Sequence, residues 1–337
     1  MKLSGCASAA VVALLGFSFT ALAQQPATTL VNLARQEGRV IWYTTIAIPE
    51  GQAFIKFFEQ RYPFLKVEMV RSGAGPMVNR ILSEYTAGRH IVDVIHGVSS
   101  RGVLPYFQEK EIITSYDSPE RRFIADDLKD RDGYWVSLYA LPFVLIVNKN
   151  LVKAEDVPKS YEDLLHPKWK GKKILNDTEN YAWFDGLLNY WGKDKGTAFF
   201  RKLAQQEQGF QRGARLRVQL VAAGEFPMTI GFGPHAQDYI SKNAPIDWIP
   251  LEPVVFNVSS LSLAKRAPHP HAAKLFMDFL LSKEMQTRTV ENNNIPVRVD
   301  VDPKPRRLFR DYKRIRQNIG DLSASINLYK EIFGLRE

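Results

Sequence analysis

Side chains able to hold a small solute recur just after short apolar runs in this 337-residue chain. Tyr43, Thr44 and Thr45 close one run, Ser72 and Gly73 follow a second, and Gly97, Val98, Ser99 and Ser100 follow a third. Asp177, Thr178, Glu179 and Asn180 come after the run that starts at Ile174. Residues 231–235, with Phe232 and His235, come after Met228-Thr229-Ile230. Hydroxyls, amides and glycine-rich turns of this kind hydrogen-bond a ligand without attacking it. Ser72-Gly73-Ala74-Gly75 ahead of a helix either cradles an anion on backbone N–H groups or is a plain turn; it lacks the Gly-Lys-Ser/Thr ending of a nucleotide loop. Arg212, like Arg215, either clamps a carboxylate or phosphate with its fork or stays solvated. Ser99 and Ser100 stand ahead of a helix, where a hydroxyl either caps it or contacts ligand.

Reacting groups are absent in recognisable form. There is no Gly-x-Ser-x-Gly turn and no His-Glu-x-x-His zinc helix. Asp177 and Glu179 are close enough to pair for acid–base work, but carboxylates so near each other at a strand end more often bind ligand or cap helices. The expectation is a binding protein, not an enzyme, with no cofactor and no metal of its own. Tyr181, Trp183, Phe184 and Trp191 either frame a cation or an aromatic ligand or form the core face of a helix. His269 and His271, on either side of Pro270, are read as scaffold, and the lone His235 as a hydrogen-bonding or surface residue rather than a metal ligand.

Alternating strand-period and helix-period segments must position these groups. Arg39–Thr44 (RVIWYT) reads as a buried strand, followed by a helix that puts Phe54, Phe57 and Phe58 on one face. Lys66–Arg71 is the next strand, then a helix with Val78, Ile81, Leu82 and Tyr85 at helical spacing and Pro76 in its first turn, then a strand over 92–96. Such alternation implies a parallel, helix-covered sheet, because parallel strands need crossover connections. Residues 139–148 (YALPFVLIVN) and Val254–Ala264 (VVFNVSSLSLA) are two long apolar strands that frame a second α/β unit. If the two are adjacent, they form a hinge and the ligand sits between two lobes.

Lys2, an apolar run over 7–21 and Ala21-Leu22-Ala23 predict a signal peptide over 1–23 that carries away Cys6, the chain's one cysteine. Leu3-Ser4-Gly5-Cys6 fits a lipoprotein site in residue type, but no apolar region precedes it. No later segment supplies the roughly 20 uncharged residues of a membrane span. The net charge of +9 is concentrated in residues 304–316, with seven basic residues against one Asp, and reads as a solvated basic helix face. Export argues against a nucleic-acid partner, and no RNA-binding or zinc-finger pattern occurs.

Pro158-Lys-Ser-Tyr-Glu-Asp-Leu-Leu-His-Pro-Lys-Trp-Lys-Gly-Lys-Lys-Ile174 resembles a signature of periplasmic solute-binding proteins of the ferric-ion-type importers. Ala222-Ala-Gly-Glu225, residues 269–286 and Asn294-Ile-Pro-Val-Arg298 extend the resemblance over residues 38–301 in the expected order. The resemblance implies an α/β, two-lobed type II periplasmic-binding-protein fold with a two-strand hinge. Lobe I would comprise 38–141 plus 256–297 and lobe II 142–255, with 298–337 a basic, helical tail packed on both. It further implies a periplasmic monomer that hands a small molecule to an ABC permease of the inner membrane. Ferric binders of this family carry adjacent tyrosines in the loop that here reads Gly231-Phe232-Gly233-Pro234-His235. An organic anion, phosphorylated or carboxylated, is therefore expected; the alternatives are ferric iron or a ferric complex, or a ligand-presenting partner of a sensor kinase.

Overall fold

Strand β1 (Arg39–Thr44) lies between two parallel neighbours, β2 (Lys66–Arg71) and β3 (Val94–His96). Burial on both faces explains its unbroken apolar run. The structure, a computed structural model, describes residues 25–99, 102–171, 173–291 and 293–335. The expected signal peptide, Cys6 and the candidate Ser100 fall outside them. No helix among the described residues is long and apolar enough to cross a membrane.

Helices α1 (Gln25–Glu37), α2 (Ile48–Arg61), α3 (Ala74–Thr86) and α4 (Val103–Glu109) belong to this first half, with the short strand β4 (Ile113–Thr114). Phe54 and Phe58 are fully buried, and Phe58 meets Phe276 and Phe279 edge-on at 4.9 and 5.4 Å. Phe57 differs from the expected three-ring stack: it is half-buried under the Arg288 guanidinium, 4.2 Å away. Strand β3 begins at Val94 rather than residue 92 because Asp93 uses its carboxylate as an anchor. That carboxylate accepts from Ile41 N at 2.7 Å and from His269 N at 2.8 Å, tying β1 to the start of a later helix.

Strand β5 (Val136–Asn148) starts three residues before the predicted Tyr139 and carries the chain into the second half. Its first part pairs antiparallel with β10 (Val254–Ala264), its last part with β8 (Met228–Phe232) and β9 (Ile246–Ile249). With β6 (Ile174–Asn176) and β7 (Gly209–Phe210) the order is β2-β1-β3-β10-β5-β8-β6-β7. The β5–β10 register breaks between Val258 and Ser260, where Ser259 N donates to Ser137 Oγ at 3.0 Å instead of to the ladder. Helices α5 (Tyr181–Trp191), α6 (Lys193–Ala204), α7 (Ala214–Ala222) and α8 (Gly233–Ile240) cover the second half, whose core includes Tyr161, Trp183, Phe184 and Phe200. Helices α9 (Pro270–Leu281) and α10 (Lys283–Glu291) return to the first half.

The motif at 158–174 is scaffold. Ser160 Oγ accepts from Asp163 N at 3.2 Å while the Asp163 carboxylate accepts from Lys159 N and Ser160 N, a reciprocal cap on a single 3-10 turn, Glu162–Leu165. Tyr161, Leu164 and Trp169 are its buried side. The basic segment 304–316 is not a solvated helix face. It folds into a 3-10 turn and strand β11 (Arg314–Arg316), parallel to β10, and its arginines find acids: Arg314 pairs with Asp127 at 2.8 Å and Arg307 with Asp247 at 2.6 Å. Helix α11 (Ser323–Phe333) then packs on α5 and α6.

Asp278 in α9 is a partly buried acid outside the cavity. Burial pushes its carboxyl up to about 6, although Tyr116 and Ser118 donate hydroxyls to it at 2.8 and 2.5 Å. A carboxyl raised in the fold contributes full stability below its unfolded value near 4 and loses that contribution as pH rises through about 6. Thermal melts of wild type minus Asp278→Asn should therefore fall between pH 4 and 7 by the equivalent of about 3 kcal/mol. A flat difference curve would contradict the assignment.

Candidate functional site

A cavity of about 410 Å³ opens between the halves against the β5–β10 pair. Tyr139, Leu141 and Phe143 of β5 and Asn257, Val258 and Ser259 of β10 form its floor. From the first half come Thr45, after β1, and Gly97 and Ser99, after β3. Gly97 has φ +81, and a Cβ there would lie 1.9 Å from Thr45 Oγ1, so glycine is what lets Thr45 reach the cavity. Ser99 Oγ donates to Val258 O at 2.5 Å, fastening its loop to the hinge.

From the second half come Asp177, Glu179 and Asn180, the first residues of α5, the loop ahead of α7 with Arg212 and Gly213, and Phe232 at the end of β8. Residues at the N-termini of both α5 and α7 thus line one cavity, and helix N-termini present unpaired N–H groups and a partial positive charge. The 176–180 loop is held by its own side chains: Asn176 Oδ1 accepts from Asp177 N at 2.8 Å and from Asn180 Nδ2, and Asp177 Oδ1 accepts from Glu179 N at 3.0 Å. Arg212 pairs with Glu179 at 3.3 Å and its side chain is 75% exposed, which leaves its fork in solvent at the rim.

Arg217, which sequence patterning misses, is the structural centre of this side. Only 1% exposed, it gives Nη1 to Asp177 Oδ2 and to Gln211 O, and Nη2 to Ile230 O. Burial lowers its pKa, and the Asp177 carboxylate works against that shift. Asp177 is consequently committed to Arg217 rather than free to meet a ligand.

The other expected contacts divide by position. Thr45, Ser99, Asp177, Asn180, Arg212 and Phe232 come together around the cavity. Tyr43 does not; its hydroxyl donates to Glu84 of α3 at 2.9 Å on the far side of β1. Thr44 is wholly buried, 2.7 Å from His96 Nδ1, and the ring's Nε2 lies 2.8 Å from Ser259 Oγ. Burial holds that imidazole down to about 3, so it stays neutral. Ser72, Gly73 and Thr178 lie outside the lining, and the Ser72 turn gives its N–H to Thr44 O. His235 also lies outside it, its ring 5.5 Å from that of Phe232 and its pKa held down to about 3 by desolvation, with Arg215 and Arg217 adding to the effect. Arg215 pairs with Asp238 at 3.0 Å, and Asp238 accepts from Asn293 Nδ2 across the halves at 3.0 Å. Of the aromatic group, Tyr181 lines the cavity, while Trp183 and Phe184 are core. His269 and His271 hold Asp93 and Glu37.

Two half-sheets joined by a long strand pair around a polar cavity are the architecture of a solute-binding protein. The chain belongs to the bacterial extracellular solute-binding protein family, whose model matches residues 90–316, roughly two thirds of it. It is similar to a putative 2-aminoethylphosphonate-binding periplasmic protein of Salmonella typhimurium, 26% identical over 253 residues that cover 71% of this chain and 72% of the relative. Among solved structures it resembles iron-bound HitA from Pseudomonas aeruginosa (TM-score 0.74, 17% identity, 87% of this chain and 99% of that one). It also resembles AfuA from Actinobacillus pleuropneumoniae with fructose-6-phosphate bound (TM-score 0.72, 24% identity, 89% and 99%). The fold is the two-lobed type II periplasmic-binding-protein architecture, and the protein is a solute-binding component of an ABC importer, not an enzyme.

Two variants probe the site's framework. Arg217→Met leaves Asp177 buried without its partner and should cost about 3–5 kcal/mol in urea unfolding, most of it recovered in Asp177→Asn/Arg217→Met. Gly97→Ala should lower stability by about 1–3 kcal/mol, because alanine must hold a positive φ while displacing Thr45; an unchanged melting temperature would show that Thr45 yields freely.

Proposed function

We propose that this protein is a periplasmic, monomeric receptor that captures a small organic anion, phosphorylated or carboxylated, between residues 38–141 with 256–297 on one side and 142–255 on the other. It delivers the anion to a permease. What supports an anion is the convergence of two helix N-termini, α5 and α7, and the exposed fork of Arg212 on one cavity. Thr45, Ser99 and Asn180 add hydroxyl and amide groups, and Phe232, Phe143 and Tyr181 supply apolar walls. Differential affinity for the closed state drives closure. The phosphonate named for one relative and the sugar phosphate bound in one structural neighbour belong to the same chemical class.

Ferric iron is the less suited cargo. At the loop where ferric binders resembling this chain present tyrosines, Phe232 offers only a hydrocarbon ring. Burial raises the pKa of the Tyr139 phenol on the cavity floor.

Thermal-shift and calorimetric titration with fructose 6-phosphate, 2-aminoethylphosphonate, citrate and ferric salts tests this. An organic anion at a hundred times its Kd should stabilise the protein by about 2.7 kcal/mol. Arg212→Ala should weaken its binding about ten-fold. A shift with ferric salts alone, accompanied by a phenolate-to-iron absorption band, would sink the anion reading.

A further inference from the structure

We infer that the chain beyond residue 316 forms a wall of the solute cavity, and that Gln317, with Asn257 of the hinge, determines specificity by reading a hydrogen-bond donor on the solute's uncharged part. The inference rests on the reading that this cavity takes an organic anion. Gln317 is 4% exposed and lines the cavity. Its backbone N donates to Phe256 O at 3.0 Å, extending the β11–β10 pairing, and its Nε2 donates to Ser99 Oγ at 3.3 Å. Its Oε1 makes no hydrogen bond to another described residue. Beside it on the hinge, Asn257 Oδ1 is buried without a partner among the described residues.

Two residues whose amide oxygens have no hydrogen-bond partner among the described residues therefore line the same cavity. Asn257 Oδ1, buried without a partner among the described residues, is unfavourable as it stands, and a solute that supplies an O–H or N–H removes that cost while one lacking it does not. The charged end of the solute has other partners, at the α5 and α7 N-termini and Arg212. The division of labour matches an anion that carries a hydroxyl or amine some atoms away.

The segment is fixed firmly enough to discriminate. The loop at Gly320 and Asp321 packs against Gly102, whose φ of +72 and absent Cβ allow backbone atoms 3.1 Å from where a Cβ would stand. Leu322 is buried and lines the cavity, and Tyr329 donates its hydroxyl to Asp177 O at 2.5 Å. Thus one short stretch touches the Ser99 side and the Asp177 side together. The family match ends at Arg316, so these contacts lie outside the part of the chain that it covers.

Calorimetry on the full chain with fructose 6-phosphate, 2-aminoethylphosphonate and ethylphosphonate separates hydroxyl, amine and no donor. Wild type should prefer at least one donor-bearing probe to ethylphosphonate by about ten-fold or more. Gln317→Met should abolish most of that preference while leaving ethylphosphonate within roughly two-fold. Arg212→Ala should weaken all three alike. If Gln317→Met melts like wild type and keeps every affinity and the ranking while Arg212→Ala weakens binding, the inference is wrong and the anion reading stands. If no organic anion binds wild type, both fall. Should Gln317→Met fail to fold, Asn257→Met reads the same ratio, and an unchanged preference there overturns the inference equally.

Discussion

Everything in this molecule is organised by the antiparallel pairing of β5 with β10. One strand enters the second half and the other returns from it, so the pair is both the seam of the sheet and the floor of the cavity. Between Val258 and Ser260 the ladder gives way, and side chains take over: Ser137 binds Ser259 N, while His96 links Ser259 to Thr44. A break in backbone pairing is a place where strands bend with little loss, whereas an intact ladder resists bending. Paired residues flank the break on both sides, Val258 with Ala140 and Ser260 with Ser137, so the irregularity is confined to the cavity floor.

The cavity's charges are largely spent on one another. Arg217 and Asp177 form a buried pair whose work is to hold the loop after β6, and Arg212 and Glu179 form an exposed pair at the rim. The first sets geometry and resists exchange of partners, because separating buried charges is expensive. The second is cheap to open in water. A solute competing for Arg212 therefore meets a small barrier without disturbing the framework beneath.

Much of the fold was legible in the sequence because strand and helix periods are local. β1, β2 and β10 occupy the residues their patterns predict, since each is an uninterrupted apolar or alternating run bounded by polar turns. β5 extends further back, through Ser137, because that hydroxyl serves the break in β10 rather than solvent. The cavity was legible in part: Thr45, Ser99, Asn180, Arg212 and Phe232 sit at strand ends, where ligand crevices of open sheets form. Tyr43 and Thr44 lie within two residues of Thr45 yet outside the lining, because side chains change faces over that distance along a strand. Arg217 was invisible because, within ARLRVQLVA, it looks like any solvated arginine, and its partner lies 40 residues away. Gln317 had no signal either, standing beyond the last recognisable strand motif.

The first half of the sheet is spelled out early in the chain but finished late. β3 waits for β10 to pair with it, and Asp93 waits for His269, a contact 176 residues apart in sequence. Trp42 and Phe58 have no facing wall until Phe276 arrives with α9. Closure across such separations is slow compared with local structure formation. A nascent chain of this sequence is therefore held back from its final core until nearly its whole length has emerged. That delay is built into the order in which its strands and helices are written.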